Sequence, residues 1–326
     1  MIRRTIKTEF IKIIGLSIIA VVLILGCSSP LKESNPYLEE SQGYIDVEGG
    51  KIWYGIMGKG NKTPLLCLHG GPGSTSQYYY HLSEIAKERP VIMFDQLGSG
   101  RSDHHKDTSL LKVKNFVEQV RAIKTELKLN QFYLLGGSWG TALSLEYYNA
   151  YPDGIKAIVF NSPFFSTPIW TADADTLVAA LPDSIQTIIK VAEMDNKFDT
   201  DDYAHANRIF LSKHGRRTVY KKHPYDTITS SGNSFIYNYM WGPSEFTATG
   251  TLKNYDIHET LKDILVPVLF TTGEFDEARP ESVVQFSKLV PNSEFVVIEA
   301  AGHSTLNDNS PAMVLAIREF IGKIEQ

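Results

Sequence analysis

The sequence lacks the features on which several classes of protein depend. Two cysteines among 326 residues, Cys27 and Cys67, exclude a disulfide scaffold. There is no repeat or low-complexity run, and 43% of the residues are hydrophobic, which excludes a disordered chain. The net charge is −5 and no basic stripe is present, so we expect no nucleic acid partner. No His, Cys and Asp residues have metal-ligand spacing, and we expect no metal and no other cofactor.

The first thirty residues have the pattern of a targeting signal. Four basic residues precede an almost wholly apolar stretch over 13–26, as in a secretory signal peptide. A membrane-spanning helix of about 20 residues is the competing interpretation. The end of the stretch, Ile24-Leu25-Gly26-Cys27, resembles a bacterial lipobox, and this resemblance implies cleavage before Cys27 and lipidation of its thiol. We therefore expect a lipoprotein signal peptide over 1–26 and a membrane anchor at Cys27, on the extracytoplasmic side of a bacterial cell envelope.

The segment after Cys27 differs in composition from both the signal and the body. Residues 27–42 are polar and contain two prolines, so we interpret them as a tether between membrane and domain. The second cysteine, Cys67, lies in an apolar run, which favours a buried and unreactive thiol over a reactive one.

The body alternates short apolar runs with helical spacing. Strands are expected over 44–47, 51–56, 65–68, 91–94, 132–135, 155–160, 266–271 and 294–298. This alternation predicts an α/β fold with a mostly parallel central sheet and helices on both faces. The strand pattern stops over 166–251, which predicts a helical cap inserted over the C-terminal edge of the sheet. The core would then comprise 43–165 and 252–326.

A candidate nucleophile lies between a predicted strand and a predicted helix. Residues 136–140 read Gly-Gly-Ser-Trp-Gly, which matches the Gly-x-Ser-x-Gly pattern with Ser138 at its centre. A strand before the motif and a helix after it are what a nucleophile elbow requires, because the sharp turn lifts the serine above the sheet. The alternative, a glycine-rich turn with an incidental serine, does not account for this context.

A glycine-rich loop after an earlier strand is the candidate oxyanion hole. Residues 69–73 read His-Gly-Gly-Pro-Gly, and their glycines allow backbone N–H groups to approach the nucleophile. We expect one donor from Trp139 and one from this loop. We favour Gly71 over Gly70, although the sequence does not separate the two. The turn over 95–102 follows another strand, and we assign it a structural role.

The partners of a catalytic serine are expected in the order acid, then histidine. Asp276 follows the strand over 266–271, and His303 follows the last strand; both positions are loops at strand ends. His303 would be the general base and Asp276 would orient its imidazole ring. Glu274 and Glu277 are rivals for the role of the acid.

At this point the sequence resembles the α/β-hydrolase fold and, within it, the proline iminopeptidase family. The resemblance rests on the His-Gly-Gly-Pro-Gly and Gly-Gly-Ser-Trp-Gly motifs, on 95–102, and on Met-Trp-Gly-Pro-Ser-Glu-Phe over 240–246. It implies a serine aminopeptidase that releases an N-terminal residue, most often proline, from short peptides with a free N-terminus. It also implies that carboxylates at Glu245 and Glu277 bind the substrate α-amine.

Substrate preference and reaction class have alternatives. Trp139, Tyr239, Trp241 and Phe246 are candidates for an apolar pocket around the first substrate residue, and they are equally good candidates for the cap core. A lipid-anchored esterase, amidase or lactonase would use the same catalytic residues, so Glu245 and Glu277 alone discriminate against it. A binding protein without activity is disfavoured, because the serine, acid, histidine and glycine loop are all intact.

Overall fold

The structure is a computed structural model that describes residues 34–223 and 232–326. The predicted signal over 1–26 and its lipidation site, Cys27, lie outside the described residues. Within 34–223 and 232–326, no helix is both long enough and apolar enough to cross a membrane.

The described residues contain an eight-stranded sheet with the order β1-β2-β4-β3-β5-β6-β7-β8. Strands β3 to β8 run parallel to one another, whereas β1 and β2 form a hairpin at one edge and β2 is antiparallel to its neighbour β4. The predicted α/β fold with a mostly parallel sheet is therefore confirmed. The strands are β1 Ser41–Val47, β2 Gly50–Met57, β3 Leu65–Leu68, β4 Val91–Phe94, β5 Phe132–Gly137, β6 Ile155–Asn161, β7 Val268–Gly273 and β8 Ser293–Ile298.

Helices cover both faces of the sheet and form the cap. Helices α2, α3 and α8 pack with one apolar cluster, and α10 packs with a second one. The central strands β3, β4 and β5 are buried along their whole length, because both faces of the sheet are covered. The α-helices are α1 Ser83–Ala86, α2 Val113–Glu126, α3 Trp139–Ala150, α4 Thr167–Ala179, α5 Asp183–Asp195, α6 Asp201–Phe210, α7 Ser234–Met240, α8 Pro280–Leu289, α9 Thr305–Asp308 and α10 Ser310–Ile324.

The predicted cap corresponds to helices α4 to α7 and the segments between them. It has its own apolar cluster, which includes Ile189, Tyr203, Phe210 and Phe246. The cap returns to the core near residue 251, where the Thr167 hydroxyl donates to the carbonyl oxygen of Leu252 at 2.7 Å. The cap thus has a core of its own and is joined to the sheet domain at both ends.

The N-terminal part of the described chain is packed on the body, so residues 34–42 are not the free part of a tether predicted over 27–42; residues 27–33 lie outside the described residues. The side chain of Asn35 donates to the carbonyl oxygen of Gln131 and accepts from its N–H, at 2.8 and 2.9 Å. Leu38 is buried and pairs with Gly60 through two backbone hydrogen bonds. The polar composition of this segment gave no sign of these contacts, because they depend on partners distant in the sequence.

A buried ion pair supports the loops beneath the catalytic edge of the sheet. The Asp95 carboxylate accepts from the backbone and hydroxyl of Ser76, and from the backbone and guanidinium of Arg101. Burial alone would raise the pKa of Asp95, but the adjacent Arg101 outweighs it and lowers that pKa. The turn over 95–102 therefore has the structural place that the sequence predicted.

We expect Asp95→Ala to lower the free energy of unfolding by about 3–5 kcal/mol, because it leaves the buried Arg101 without a counter-charge. Urea denaturation monitored by circular dichroism measures the change. Glu84→Gln, which removes the exposed pair with Lys87, is the matched control and should leave the denaturation midpoint nearly unchanged. Equal midpoints for the two variants would contradict the role assigned to Asp95.

Candidate active site

Ser138 lies in a strained turn between β5 and α3. Its φ is 54° and its ψ is −125°, a conformation that non-glycine residues rarely adopt. The neighbouring Gly140 is required by close packing, because a Cβ there would lie 2.0 Å from the carbonyl oxygen of Leu68. The Ser138 N–H donates to the carbonyl oxygen of Asn161 at the end of β6, 3.0 Å away. The turn thus has the geometry of the predicted nucleophile elbow, with the hydroxyl at the cavity wall.

The predicted oxyanion donors lie on either side of Ser138. Trp139 is the first residue of α3, so its N–H has no acceptor within the helix. Gly71 and Gly70 both line the cavity that contains Ser138. Gly71 has a φ of 108°, and Gly70 approaches the nucleophile so closely that a Cβ there would lie 2.9 Å from Ser138 Cβ. The glycines are needed because the loop passes directly over the serine.

The loop of residues 69–73 is held by a hydrogen-bonded glutamine. The side-chain amide of Gln96 donates to the carbonyl oxygen of His69 at 2.9 Å and accepts from the Trp139 indole at 3.1 Å. The Gln96 N–H donates to Nε2 of the fully buried His69. One residue therefore links the oxyanion loop to the helix that follows the nucleophile.

His303 and Asp276 come together from loops after β8 and β7. Nδ1 of His303 lies 2.7 Å from Oδ1 of Asp276. The carboxylate of Asp276 is 1% exposed and also accepts from the N–H groups of Gly273 and Ala278 and from the hydroxyl of Thr272. These donors fix the carboxylate, so it can orient the imidazole ring and stabilise its charged form. Asp276, rather than Glu274 or Glu277, occupies the position of the predicted acid.

The main cavity joins these groups and has a volume of about 730 Å³. Ser138, His303, Gly71 and Glu245 all line it. Within the described residues the Ser138 hydroxyl makes no hydrogen bond to His303. The hydrogen bond between a nucleophile and its base is often long until substrate binds.

Two further carboxylates approach His303 from the cap and from the acid loop. Oε1 of Glu277 lies 3.7 Å from Nδ1 of His303, and the side chain is 2% exposed. Its other oxygen, Oε2, is buried and has no hydrogen-bond partner in the part of the chain that the structure describes. Burial and the proximity of Glu245 raise the pKa of Glu277 well above its usual value, and burial also raises the pKa of Glu245. The two predicted amine-binding carboxylates are therefore close enough to influence each other.

The same carboxylates set the basicity of His303. Burial alone would lower its pKa, but Asp276, Glu277 and Glu245 outweigh burial and raise the pKa to about 10. Such a site has an excess of acidic groups over its single imidazole. It is suited to a ligand that brings its own positive charge, because that charge replaces protons on the carboxylates.

Aromatic side chains enclose a small recess next to Ser138. Trp139 and Trp241 line it, as the sequence predicted, together with Phe164, Trp170 and Leu252. The other two candidates lie elsewhere: Tyr239 stacks on Phe235, and Phe246 packs in the cap core. The spacing of the four aromatic residues in the sequence could not distinguish the recess from the cap core, because the chain turns sharply after α7.

Sequence reasoning missed residues that have no motif of their own. Tyr237 lines the cavity next to Glu245, and the proximity of its hydroxyl opposes the burial that raises the pKa of the Glu245 carboxyl. Trp170 donates its indole N–H to the Glu245 carbonyl oxygen at 2.8 Å, and its ring packs edge-on against His303. Both lie on cap helices, where only the folded structure shows which face meets the core.

The described residues contain one free cysteine and no candidate metal site. Cys67 is fully buried and unpaired, and burial raises the pKa of its thiol, so the predicted burial of this cysteine is confirmed. No three His, Cys, Asp or Glu side chains of residues 34–223 and 232–326 are placed to hold a metal ion.

We expect Glu277→Gln to move the pH dependence of Ser138 reactivity to lower pH. Phosphonylation by a fluorophosphonate probe requires neutral His303, and loss of the adjacent carboxylate lowers the pKa of that histidine by about one unit. The measurement is the labelling rate between pH 6 and pH 10. Glu274→Gln, which changes an exposed acid of the same loop, is the control and should leave the profile in place. An unchanged profile in Glu277→Gln would contradict this electrostatic account.

Comparison with known proteins places these features in one family. The chain matches the α/β hydrolase fold family over residues 63–310. It is 39% identical to the proline iminopeptidase of Heyndrickxia coagulans over 287 residues, covering 87% of this chain and 99% of that protein. It is 32% identical to the proline iminopeptidase of Clostridium botulinum, covering 87% and 98% of the two chains.

Solved structures give the same result. The crystal structure of VinJ superimposes with a TM-score of 0.80 at 29% identity, and covers 87% of this chain and 99% of its own. The proline iminopeptidase of Mycobacterium smegmatis has a TM-score of 0.77 at 26% identity, with the same coverage. On the strength of these matches, this chain belongs to the proline iminopeptidase family of α/β hydrolases.

Proposed function

We propose that this protein is a serine aminopeptidase that releases an N-terminal residue, with proline preferred, from short peptides. The observation that carries the proposal is the buried Glu277 carboxylate, whose Oε2 lacks a hydrogen-bond partner in the described residues and which lies beside Glu245 and His303. An unpaired buried carboxylate is costly, so a binding partner that supplies N–H donors and positive charge stabilises it.

The catalytic steps follow from the positions of the side chains. His303 takes the Ser138 proton as the hydroxyl attacks the first carbonyl carbon of the peptide. The N–H groups of Gly71 and Trp139 bind the oxyanion that develops there. His303 then gives the proton to the leaving amine, and the acyl-enzyme remains. Water, activated by His303, hydrolyses the acyl-enzyme and releases the amino acid.

Recognition of the free amine makes the enzyme an exopeptidase. A protonated N-terminal proline carries two N–H bonds, and Glu245 and Glu277 offer one carboxylate for each. These charge-assisted hydrogen bonds fix the distance between the amine and the scissile carbonyl, so that only one residue is released. An internal peptide nitrogen has no charge and cannot compensate two buried carboxylates.

The aromatic recess supports a preference for proline. Phe164, Trp170 and Trp241 pack edge-on against one another, with ring centroids 5.3–6.0 Å apart. Such mutually packed rings are rigid and favour a compact apolar ring over a long or charged side chain. An esterase or lactonase, the alternative reaction, has no charged amine to bind, so Glu245 and Glu277 argue against it.

The test compares a proline arylamide with its N-acetylated form and with a short acyl ester. We expect cleavage of the free-amine substrate only, and none by Ser138→Ala. In Glu245→Gln and Glu277→Gln, kcat/KM for the arylamide should fall by roughly 100-fold, since each removes a charged hydrogen-bond partner worth about 3 kcal/mol.

Glu274→Gln is the matched control and should retain the activity. Equal cleavage of the acetylated substrate, or activity on the ester alone, would refute the amine-binding role of the two glutamates. The same catalytic serine would then belong to a general amidase or esterase.

We infer in addition that the protein is held at the extracytoplasmic face of a bacterial membrane by lipid on Cys27. The support is the sequence alone: an apolar segment over 13–26 that ends in a lipobox-like motif. More than one acyl chain is needed for stable anchoring, which is what lipoprotein processing adds.

Metabolic labelling with an alkyne fatty acid tests the anchor. The wild-type protein should carry label and begin at Cys27, whereas Cys27→Ser should lose the label. Cys67→Ala keeps the lipobox and should remain labelled. An unlabelled wild-type protein that retains residues 1–26 and sediments with membranes would indicate an uncleaved spanning helix instead.

A further inference from the structure

The main cavity carries opposite charges in different parts of its wall. Glu245 and His303 line it close to Ser138, and Arg216 lines it as well. Among the described lining residues, Arg216 is the only lysine or arginine. The cavity, of about 730 Å³, has room for a small ligand. The function proposed above employs the acidic groups and leaves the arginine unexplained.

The backbone places Arg216 beside the catalytic histidine loop. The N–H groups of His303 and Ser304 donate to the carbonyl oxygens of His214 and Gly215, at 2.8 and 2.9 Å. Gly302 must be a glycine for this approach, since a Cβ there would lie 2.7 Å from the Gly215 oxygen. Arg216 follows Gly215 directly and therefore lies next to the loop that carries His303, the residue that protonates the leaving amine.

The carboxylate of Asp308, at the end of α9, fixes the segment that carries Arg216. Asp308 accepts from the N–H groups of Arg217 and Thr218, from the Thr218 hydroxyl and from the N–H of Gly302, at 2.8–3.0 Å. These donors lower the pKa of Asp308 even though burial opposes them. The segment is thus joined to the histidine loop by backbone hydrogen bonds before Arg216 and, after it, through the Asp308 carboxylate.

The Arg216 guanidinium itself has no carboxylate partner. Its one recorded side-chain contact in residues 34–223 and 232–326 is with the ring of Tyr220, whose centroid is 5.6 Å away. Arg217, by contrast, stacks on Phe275 at 3.7 Å and donates to the carbonyl oxygen of Lys213. One arginine of the pair is therefore used in packing, and the other presents its charge to the cavity.

We propose that Arg216 binds the C-terminal carboxylate of the substrate, so that the enzyme selects short peptides with a free C-terminus over C-terminally blocked ones. This inference rests on the proposed aminopeptidase function. A short peptide is a zwitterion whose ammonium meets Glu245 and Glu277 and whose carboxylate meets the planar guanidinium.

The test uses the full-length protein in detergent with prolyl-alanine, prolyl-alanyl-alanine, their C-terminal amides and a proline arylamide. For the wild type, kcat/KM should be about tenfold higher for the free acids than for the amides, the usual effect of one charged hydrogen-bonded pair. Arg216→Gln should abolish this preference through KM, and Arg216→Lys should retain part of it. Salt should weaken the preference in the wild type only.

Lys213→Gln is the matched control, because it removes an exposed positive charge from the same segment and should leave the preference intact. Arylamide cleavage has no carboxylate to report on, so it should be equal in the wild type and in Arg216→Gln. Equal rates for acids and amides in the wild type, or an unchanged preference in Arg216→Gln, would overturn the inference while leaving the aminopeptidase intact. Failure of the wild type to cleave the arylamide would instead refute the proposed function, and this inference with it.

Discussion

The hydrogen bond between Asp276 and His303 is the interaction on which the site depends. It joins two loops that are separated by a helix and a strand, and the Asp276 carboxylate is almost completely buried. Donors from Thr272, Gly273, Ala278 and His303 fix that carboxylate in place. With the carboxylate held there, the imidazole can carry a proton between the serine and the leaving amine.

The same site contains more buried negative charge than a hydrolase needs for the chemical step. Glu277 and Glu245 stand beside the catalytic pair, and neither is required to activate a serine. Their pKa values are raised because burial disfavours two charges so close together. A cationic ligand would relieve this repulsion, which is the basis of the proposed recognition of the substrate amine by Glu245 and Glu277.

The cap is a structural part of the catalytic centre. His214 and Gly215 accept hydrogen bonds from the histidine loop, and Trp170 packs on the imidazole ring. The Asp308 carboxylate in turn accepts hydrogen bonds from the N–H groups of Arg217 and Thr218 in the cap. Substrate recognition by the cap and proton transfer by the core therefore share one set of backbone hydrogen bonds. A change in the cap will alter the position of His303 as well as the shape of the cavity.

The chain's local patterns predicted most of the sheet. Strands β3 and β4 have the predicted bounds, since an apolar run between polar turns has one plausible length. Ser138, Asp276 and His303 were found because each follows a strand end in a fixed order. The sequence does not predict the packing of the segment around Asn35, and it only partly predicts which aromatic residues line the recess. Their contacts join residues far apart in the chain, and composition carries no record of such pairs.

What the sequence by itself determined is the chemistry: a serine on a strand-to-helix turn, its acid and histidine, a glycine loop and two acidic residues in motifs. Local constraints define these features, because a sharp turn or a close backbone approach restricts which residues fit. What only the tertiary structure decided is the environment of those groups. The unpaired oxygen of Glu277, the contact of Tyr237 with Glu245 and the place of Arg216 in the cavity wall arise where cap and core meet. Burial and charge at such a junction depend on several segments at once, and no single segment encodes them.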